Sequence, residues 1–284
     1  MSRNLLALFI AAAVLALPAA AGATSPDTVL LPILMYHHID SIGDSDSTVS
    51  DNTFEHQLQW LNENGFDAVS LDDVIAYVND GTPLPDKPYC VVFDDGYESN
   101  LTLALPLLTR FDVPATICFI GSSVGDDTYK DTGIPIIPHF GTDGARTLLA
   151  SGLITLGSHT WDLHMWAPLE GGEVREYAVR LDGESERSFE EAFRADFAEM
   201  SDYMRDELGI LPNVFAYPHG VWDMTTERLL RELGVVVTLT CEERVNVIRR
   251  GDADSLYLLG RYNVNESTDI ESIFKNIYNM GETK

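Results

Sequence analysis

The sequence predicts an α/β fold built on a largely parallel sheet. Short apolar runs, typical of buried strands, alternate with segments whose apolar residues recur every three or four positions, as in amphipathic helices. Polar residues suited to catalysis also follow the predicted strands. In a barrel of parallel strands those strand ends share one face, where active sites usually lie. The residues at these positions are His37, Asp94, Asp95, His159, His164, His219 and Arg261.

The first half of the chain is predicted to contain four strands with helices between them. One helix is expected to stop at Gly65, and Ser70 and Asp73 have the spacing of a capping box for the next helix. Pro106 is expected to lie near the start of the helix at 101–110 or to bend it. The strands are expected at residues 30–36, 67–69, 89–93 and 115–120.

The second half continues this alternation around one polar, charged insertion at residues 167–187. Apolar residues up to Leu208 recur at helical spacing, and Ser188 with Glu191 is predicted to cap this helix at its start. We find no internal repeat and no second domain boundary. Further helices are expected at 145–151, 227–233 and 269–280, and further strands at 153–156, 213–217, 234–239 and 255–259.

The N-terminus has the pattern of a secretory signal. Arg3 precedes an apolar stretch at residues 5–17, and Ala21-Gly22-Ala23 fits a small-x-small cleavage site. We therefore expect a signal peptide at residues 1–23 and a single domain at residues 24–284, with its core at about 30–264. This predicts a secreted or periplasmic protein with no membrane span in the mature chain. An uncleaved anchor is the alternative, although the apolar stretch is short for a span.

The charge balance limits the possible partners. The 284 residues include 45 acidic and 18 basic side chains, a formal net charge of −27. Such a surface repels nucleic acid and anionic lipid, so neither is an expected partner, whereas a neutral or cationic polymer is compatible with it. The odd number of cysteines excludes a full disulfide framework, and Cys90 and Cys118 are expected to be buried. The sequence does not define an oligomeric state.

Two neighbouring aspartates carry the strongest chemical signal. Asp94 and Asp95 follow five apolar residues, and carboxylates this close repel each other unless a metal or another cation is present. His159 and His164 follow a later predicted strand. One aspartate, two histidines and an open position make the ligand set of a catalytic divalent metal. Asp95, His159 and His164 are therefore the predicted metal ligands.

The remaining polar residues fit the other roles of a hydrolase. A metal lowers the pKa of a bound water from about 15.7 towards ~7, and Asp94 beside the site could take the water's proton. His37 or His38 could act as the acid, since imidazole titrates near neutral pH. Each motif has an ordinary alternative, because Asp-Asp-Gly is often a turn and histidine pairs occur by chance. Their joint occurrence after separate strands favours a metal hydrolase.

The motifs together resemble the polysaccharide deacetylases, the NodB-homology carbohydrate esterases, over roughly residues 30–264. Phe93-Asp94-Asp95-Gly96 matches the family's first motif, which implies that Asp94 is the catalytic base and Asp95 a metal ligand. His159-Thr-Trp-Asp-Leu-His164 matches the second, with one extra residue. That spacing, with the opening Leu34-Met35-Tyr36-His37, is similar to the branch acting on poly-β-1,6-N-acetylglucosamine. The resemblance implies a distorted (β/α) barrel of about seven mostly parallel strands, with His37 as the acid ahead of His38.

The third motif of the family is matched only in part, at residues 216–220. Pro218 and Gly220 fit, but Ala216 replaces the arginine that steadies the base carboxylate in the family. We expect Arg261 to take that role. By the same resemblance, the backbone N–H of His219 joins the metal in stabilising the oxyanion. Three aromatic residues are candidates for stacking on sugar rings, with ordinary core packing as the alternative: Tyr97, Trp161 and Trp222.

The expected function is metal-dependent removal of N-acetyl groups from an N-acetylhexosamine polysaccharide, with release of acetate. The alternatives are an esterase acting on O-acetyl groups, as in xylan, and a non-catalytic glycan-binding relative. One divalent metal is expected. Zinc suits the Asp/His ligand set, and nickel or cobalt would fit the same site.

Overall fold

A computed structural model describes residues 27–170 and 174–279. The predicted signal peptide, residues 1–23, lies outside the described residues, as do the last residue of the predicted final helix and part of the insertion at 167–187. Within the two described ranges, no helix combines the length and the apolar character needed to cross a membrane.

The described residues form twelve strands, seven α-helices and two π-helical turns at Asn100–Ala104 and Met204–Leu208. The strands are β1 Thr28–Leu31, β2 Ile33–Tyr36, β3 His38–Asp40, β4 Thr48–Ser50, β5 Asp67–Ala68, β6 Pro88–Asp95, β7 Ala115–Phe119, β8 Ile154–Ser158, β9 Val214–Ala216, β10 Val237–Leu239, β11 Asn246–Arg249 and β12 Tyr262–Asn263. The helices are α1 Asp51–Glu63, α2 Leu71–Asp80, α3 Leu105–Phe111, α4 Thr142–Ala150, α5 Glu186–Tyr203, α6 Met224–Glu232 and α7 Ile270–Ile277.

The main sheet is parallel throughout. Its strand order is β10-β9-β8-β7-β6-β2-β12, and β5 pairs in parallel with the start of β6. Edge strand β10 forms a parallel bridge through Leu239 with Leu259, which lies three residues before the other edge strand, β12. Residues 259–261 thus form the seam between the two edge strands. The prediction of a distorted barrel of about seven mostly parallel strands is confirmed.

Strand β6 is buried on both faces of the sheet. Its residues from Pro88 to Asp94 are all buried. Val91 and Phe93 pack into one apolar cluster, whereas Cys90 and Val92 pack into a second cluster on the opposite face. An unbroken apolar run is the pattern of a parallel strand covered on both sides. The carboxyl end of this strand is therefore the first point where charged side chains are accommodated.

The single strand predicted at 30–36 is two strands, separated at Pro32. β1 leaves the main sheet and pairs antiparallel with β11, a strand that the sequence analysis did not predict, while β2 pairs in parallel with β6. Proline has no backbone N–H to donate to a ladder, which makes it a natural break point. The carbonyl of Pro32 still accepts a hydrogen bond from the backbone N–H of Cys90, at 3.1 Å.

The strand predicted at 255–259 is wrong. Residues Ala253–Leu256 form a 3₁₀ turn, and the last strand of the main sheet is β12, which begins after Arg261 rather than before it. Apolar runs of this length do not distinguish a strand from a buried turn. Arg261 consequently enters the site from the seam of the barrel, beside the start of a strand.

The predicted cap of the long amphipathic helix is shifted by three residues. Helix α5 begins at Glu186, and the side chain of Ser185 accepts the capping hydrogen bond from the backbone N–H of Ser188. The capping box predicted at Ser188 and Glu191 is therefore wrong, because Ser188 already lies in the first turn. By contrast, the capping box of Ser70 and Asp73 at the start of α2 is present as predicted.

Candidate metal centre and active site

The parallel register brings the motif residues together at the carboxyl ends of neighbouring strands. Strand β7 lies between β6 and β8, with Asp95 paired to Phe119 and Phe119 paired to Ser158. His159 directly follows Ser158. Because all three strands run in the same direction, their carboxyl ends place Asp95 and His159 on the same face of the barrel.

Asp95, His159 and His164 come together as a compact cluster. Nε2 of His159 lies 3.5 Å from Oδ1 of Asp95, and Nε2 of His164 lies 3.9 Å from the same oxygen. One ligand atom from each of the three residues lies within 4.8 Å of the others. One carboxylate oxygen and two imidazole nitrogens at this separation suit a catalytic divalent ion, so the residues present fit the expected metal.

Hydrogen bonds around the cluster fix the orientation of its side chains. Nδ1 of His159 donates to the carbonyl of Ala216 at 2.8 Å, which leaves Nε2 as the unprotonated nitrogen facing Asp95. Burial lowers the pKa of His159 to about 4, so its ring is neutral near pH 7. The hydroxyl of Tyr97 hydrogen-bonds the Asp95 carboxylate. Partners of this kind hold metal ligands in the correct rotamer and tautomer.

Asp94 is clamped by Arg261. Nη1 and Nη2 of the guanidinium donate to the two carboxylate oxygens at 2.7 and 2.8 Å, and Nε donates to the carbonyl of Thr240 at 2.9 Å. Both side chains are buried. Burial alone would raise the pKa of Asp94, but the charge and hydrogen bonds of Arg261, together with the nearby His159 and His37, outweigh burial and hold that pKa below its usual value. The geometry is that of a bidentate, charge-assisted pair.

The two neighbouring histidines after β2 have different surroundings. Nδ1 of His38 lies 2.8 Å from the hydroxyl of Ser99, and burial lowers the pKa of its ring. His37 instead lies close enough to Asp94 and Asp95 for its charge to lower the pKa of both carboxyl groups. Asn100 fixes the backbone of His37 by donating to its carbonyl at 2.8 Å. Of the two histidines, His37 is thus the one coupled to both carboxylates, whereas the ring of His38 contacts Ser99.

Three site residues adopt left-handed backbone conformations that side chains rarely take. Asp95 has φ of 70°, Thr160 has 74° and His219 has 52°. Such strain costs about 1–3 kcal/mol per residue and is concentrated at functional sites. The sequence analysis expected the aspartates just past the strand. β6 instead runs through Asp95, whose positive φ changes the direction of the chain before Gly96.

Asp196 on helix α5 is a supporting residue that the sequence analysis missed. Its carboxylate accepts hydrogen bonds from the backbone N–H groups of Trp161 and Asp162, at 2.9 and 2.7 Å. These two residues lie between the histidines of the cluster. Burial raises the pKa of Asp196 to about 6. The only signal in the sequence is a charged residue at an inward position of an amphipathic helix.

The third motif forms a short turn beside the cluster. Pro218–Gly220 is a single 3₁₀ turn after β9, and the ring of His219 lies 4.6 Å from the ring of His164. A Cβ at Gly220 would lie 2.5 Å from the backbone nitrogen of Cys241, and φ there is +71°. The motif therefore needs glycine at this position for both backbone angle and space.

The predicted aromatic residues lie in different environments. Tyr97 faces Asp95 and packs against the ring of His139 at 4.8 Å. Trp161 is partly buried over Gly121 and Tyr203, within the main core cluster. Trp222 is 41% exposed. Stacking of Tyr97, Trp161 or Trp222 on a sugar ring stays a prediction.

A family comparison identifies the fold and motifs together. The family model described as polysaccharide deacetylase matches residues 81–238, more than half of the chain. The chain belongs to the polysaccharide deacetylase family. The resemblance stated from the motifs is thereby confirmed, and the matched range contains Asp94 and all three residues of the candidate metal centre.

Individual deacetylases extend this relationship. The chain is 30% identical over 208 residues to the poly-β-1,6-N-acetyl-D-glucosamine N-deacetylase of Escherichia coli K12, which covers 69% of this chain but only 31% of that relative. Among solved structures, IcaB from Ammonifex degensii has 27% identity and a TM-score of 0.71, covering 90% of this chain and 99% of that one. A de-N-acetylase from Aggregatibacter actinomycetemcomitans, at 23% identity and TM-score 0.72, shares the fold, with coverage of 87% and 99%. This deacetylase chain thus spans about a third of the Escherichia coli relative.

Proposed function

We propose that this protein removes N-acetyl groups from a polymer of β-1,6-linked N-acetylglucosamine and releases acetate. The observation that carries the proposal is the cluster of Asp95, His159 and His164 with the Arg261-clamped Asp94 beside it. The linkage is supported by the name of the Escherichia coli relative. The signal-like N-terminal sequence supports a secreted or periplasmic location.

Asp95, His159 and His164 are the residues that would hold a divalent metal in this proposal. When bound, the metal would polarise the acetamide carbonyl and lower the pKa of a water from about 15.7 towards ~7. His159 suits this role because its ring is neutral near pH 7 and its unprotonated Nε2 faces Asp95. Zinc is the proposed ion, and nickel or cobalt would suit the same donors.

Asp94 is the proposed general base. The Arg261 guanidinium keeps its carboxylate ionised and fixes its orientation, so that it can take a proton from the attacking water. Arg261 here replaces the family's arginine, whose position is Ala216 in this chain. Ala216 contributes through its backbone instead, because its carbonyl orients the ring of His159.

His37 is the proposed general acid. It lies by the two carboxylates, whereas His38 is held by Ser99. Its proton would go to the departing amine nitrogen as the C–N bond breaks, so that amide and water become amine and acetate. The backbone N–H of His219, in the turn shaped by Pro218 and Gly220, is the proposed donor to the developing oxyanion.

The proposal is tested by measuring acetate released from a panel of acetylated substrates. The panel contains β-1,6-linked N-acetylglucosamine oligomers, chitin oligomers, peptidoglycan and acetylxylan, each with and without a chelator. We expect release from the β-1,6-linked oligomers, loss of release with chelator, and recovery with zinc. Preferred turnover of acetylxylan would identify an O-acetyl esterase, and no release from any substrate would indicate a glycan-binding protein.

A variant pair assigns the activity to the site. Asp94→Asn is expected to reduce acetate release at least about 100-fold, the lower range for loss of a general base. Asp67→Asn changes an exposed aspartate of β5 at the opposite end of the sheet and serves as the control. Equal activity of the two variants would contradict the role given to Asp94.

A further inference from the structure

A cavity of about 700 Å³ opens directly beside the candidate metal centre. Asp95 and His164 form its inner end, and Tyr97 and His139 line the wall next to them. Its outer wall is apolar and comes from three parts of the chain that the motifs do not include: the residue after β7, a loop at residues 125–140, and Trp166. That wall consists of Ile120, Tyr129, Pro135, Ile136, Ile137 and Trp166. The volume lies within the range of about 300–1,000 Å³ that is usual for small-ligand sites.

The wall is preformed by a loop at residues 125–140 that folds back on itself. Thr128 forms an antiparallel bridge with Pro135, and the backbone N–H of Tyr129 donates to the carbonyl of Ile134 at 2.8 Å. A second bridge joins His139 to Tyr97, two residues after the candidate ligand Asp95. The loop is thus tied both to itself and to the catalytic edge of the sheet, so its apolar side chains are held in place before any ligand binds.

A second set of contacts locks Trp166 onto this loop. The backbone N–H of Trp166 donates to the hydroxyl of Tyr129 at 2.9 Å, and that hydroxyl donates to Glu170. The two rings meet edge to face at 6.1 Å. Trp166 is nevertheless 48% exposed. A fixed, exposed indole at the mouth of a cavity is a surface on which a flat apolar ligand face can pack.

The lysine beside this wall is shared by two carboxylates. Nζ of Lys130 contacts Glu170 at 2.6 Å and Asp162 at 3.0 Å. Ser122 also donates to Asp162, at 3.1 Å. The side chains that line the cavity beyond the candidate metal centre are mainly apolar, and Lys130 is already engaged by protein carboxylates.

We infer that this cavity is a sugar subsite that binds the still-acetylated N-acetylhexosamine residue next to the reacting one. The inference rests on the proposed function, since the cavity is continuous with Asp95 and His164. The C–H-bearing face of a pyranose ring is apolar and packs on the Trp166 indole. The methyl group of a neighbouring acetamide packs against Ile136 and Ile137, and a deacetylated sugar has no methyl group to make this contact.

Kinetics on substrates of increasing length test the subsite. Trp166→Ala is expected to raise KM for an acetylated β-1,6-linked pentamer about tenfold with kcat nearly unchanged, since lost stacking of ~1.4 kcal/mol removes uniform binding. KM for a single-sugar substrate should stay the same. Leu211→Ala is the control. It truncates a 64% exposed side chain just before β9, at the amino ends of the strands and so away from the cavity. An unchanged KM for the pentamer in Trp166→Ala would overturn the subsite while leaving the deacetylase proposal intact.

Calorimetric binding to metal-free protein tests the same subsite without turnover. We expect the fully acetylated pentamer to bind wild-type protein about tenfold more tightly than Trp166→Ala or Ile137→Ser. At an ionic strength that screens long-range charge, Ile137→Ser should leave binding of the de-N-acetylated pentamer unchanged, because that ligand has no methyl group, whereas Trp166→Ala should weaken both ligands. Equal affinity of wild-type and Trp166→Ala protein for the acetylated pentamer, or tighter binding of the de-N-acetylated one, would overturn the inference. This result does not depend on whether the enzyme releases acetate.

Discussion

Arg261 is the residue on which the buried half of the site depends. Its guanidinium satisfies both oxygens of Asp94 in a region closed to solvent. Removing one partner of a buried ion pair usually costs about 3–5 kcal/mol, because the other charge is left without compensation. Lysine cannot replace the two parallel hydrogen bonds of a guanidinium.

We therefore expect Arg261→Ala to lower both stability and turnover, and Arg261→Lys to lower turnover with a smaller loss of stability. Thermal unfolding and kcat/KM measured on the same preparations separate the two effects. Arg244→Ala, a partly exposed arginine in the loop after β10, is the matched control. Full turnover in Arg261→Ala would remove this residue from the mechanism.

Gly96 provides a test of the turn that orients Asp95. Its φ is +88°, and a Cβ would lie 2.5 Å from Cβ of Phe119. Gly152 has φ of +73° with no atom within 4 Å of the same position. We expect Gly152→Ala to cost about 1 kcal/mol from backbone strain alone.

Gly96→Ala should cost distinctly more in chemical denaturation, because the added methyl group must displace Phe119 or Asp95. It should also weaken zinc binding, whereas Gly152→Ala should not. Equal losses of stability in the two variants would show that the close approach to Phe119 is relieved without consequence.

At the scale of elements, the link between helix α5 and the loop that carries the histidines is the critical contact. Asp196 holds the backbone of Trp161 and Asp162 between the two histidines. Supporting partners of metal ligands typically contribute 10–100-fold to metal affinity. We expect a loss of that size in zinc affinity for Asp196→Ala, measured by competition with a chelating dye. Asp202→Ala, an exposed residue of the same helix, should match wild type; if both variants bind zinc equally, the support is dispensable.

The same residue predicts a pH dependence of stability. Burial raises the pKa of Asp196 to about 6, above its usual value of 3.8, so the folded state favours the protonated form. Its contribution is therefore fully present below pH 3.8 and is lost as the pH rises through about 6. At about 1.4 kcal/mol per pKa unit, the change is on the order of 2–3 kcal/mol.

Asp196→Asn should remove this component, so the difference in unfolding free energy between the variant and wild type should shift in favour of the variant between pH 4 and pH 6. Urea denaturation at several pH values measures it, with Asp202→Asn as the control. A difference that is independent of pH would contradict the assigned pKa.

Local sequence patterns predicted which segments form helices and strands better than they predicted the residues at which these begin and end. The run before Asp94 and the capping box at Ser70 are each determined by residues adjacent in sequence, and both are observed. The cap at Ser185 was missed because Ser188 with Glu191 has the spacing of a capping box, whereas Ser185 has no acidic residue at that spacing, yet the helix begins one turn earlier at Glu186. The break at Pro32 has a local cause that was overlooked, whereas the pairing of β1 with β11 depends on a partner more than 200 residues away.

The site residues that lie in contiguous motifs were predictable from the sequence, and those outside the motifs were not. Asp94, Asp95, His159 and His164 stand in contiguous motifs, so their proximity was predictable from strand order. Arg261 was predicted because Asp94 needed a cationic partner. The strand predicted just before it, at residues 255–259, does not exist. Asp196 and Trp166 carry no motif, and only the folded loops show what they contact.

At the scale of the whole molecule, metal binding and folding should be coupled. An ion that binds the folded chain only stabilises it by RT ln(1 + [L]/Kd), about 2.7 kcal/mol at a free concentration 100 times Kd. Zinc should therefore raise the unfolding temperature of wild-type protein. His159→Ala and His164→Ala should abolish that increase, and His56→Ala, an exposed histidine of α1, should retain it. An increase that persists without His159 or His164 would place the zinc elsewhere.

The seam between β10 and β12 also determines when the catalytic centre is assembled. β12 pairs with β2, so Leu34 and Tyr262 are neighbours although almost the entire chain separates them. Contacts this distant in sequence form late, because the intervening chain must be ordered first. A nascent chain that stops before Arg261 already contains every candidate ligand, but Asp94 lacks the guanidinium that pairs with both its oxygens in the folded protein. On the proposed mechanism such a fragment lacks the partner that orients the base, so acetate release should begin only after the chain has extended past Arg261 and the seam has formed.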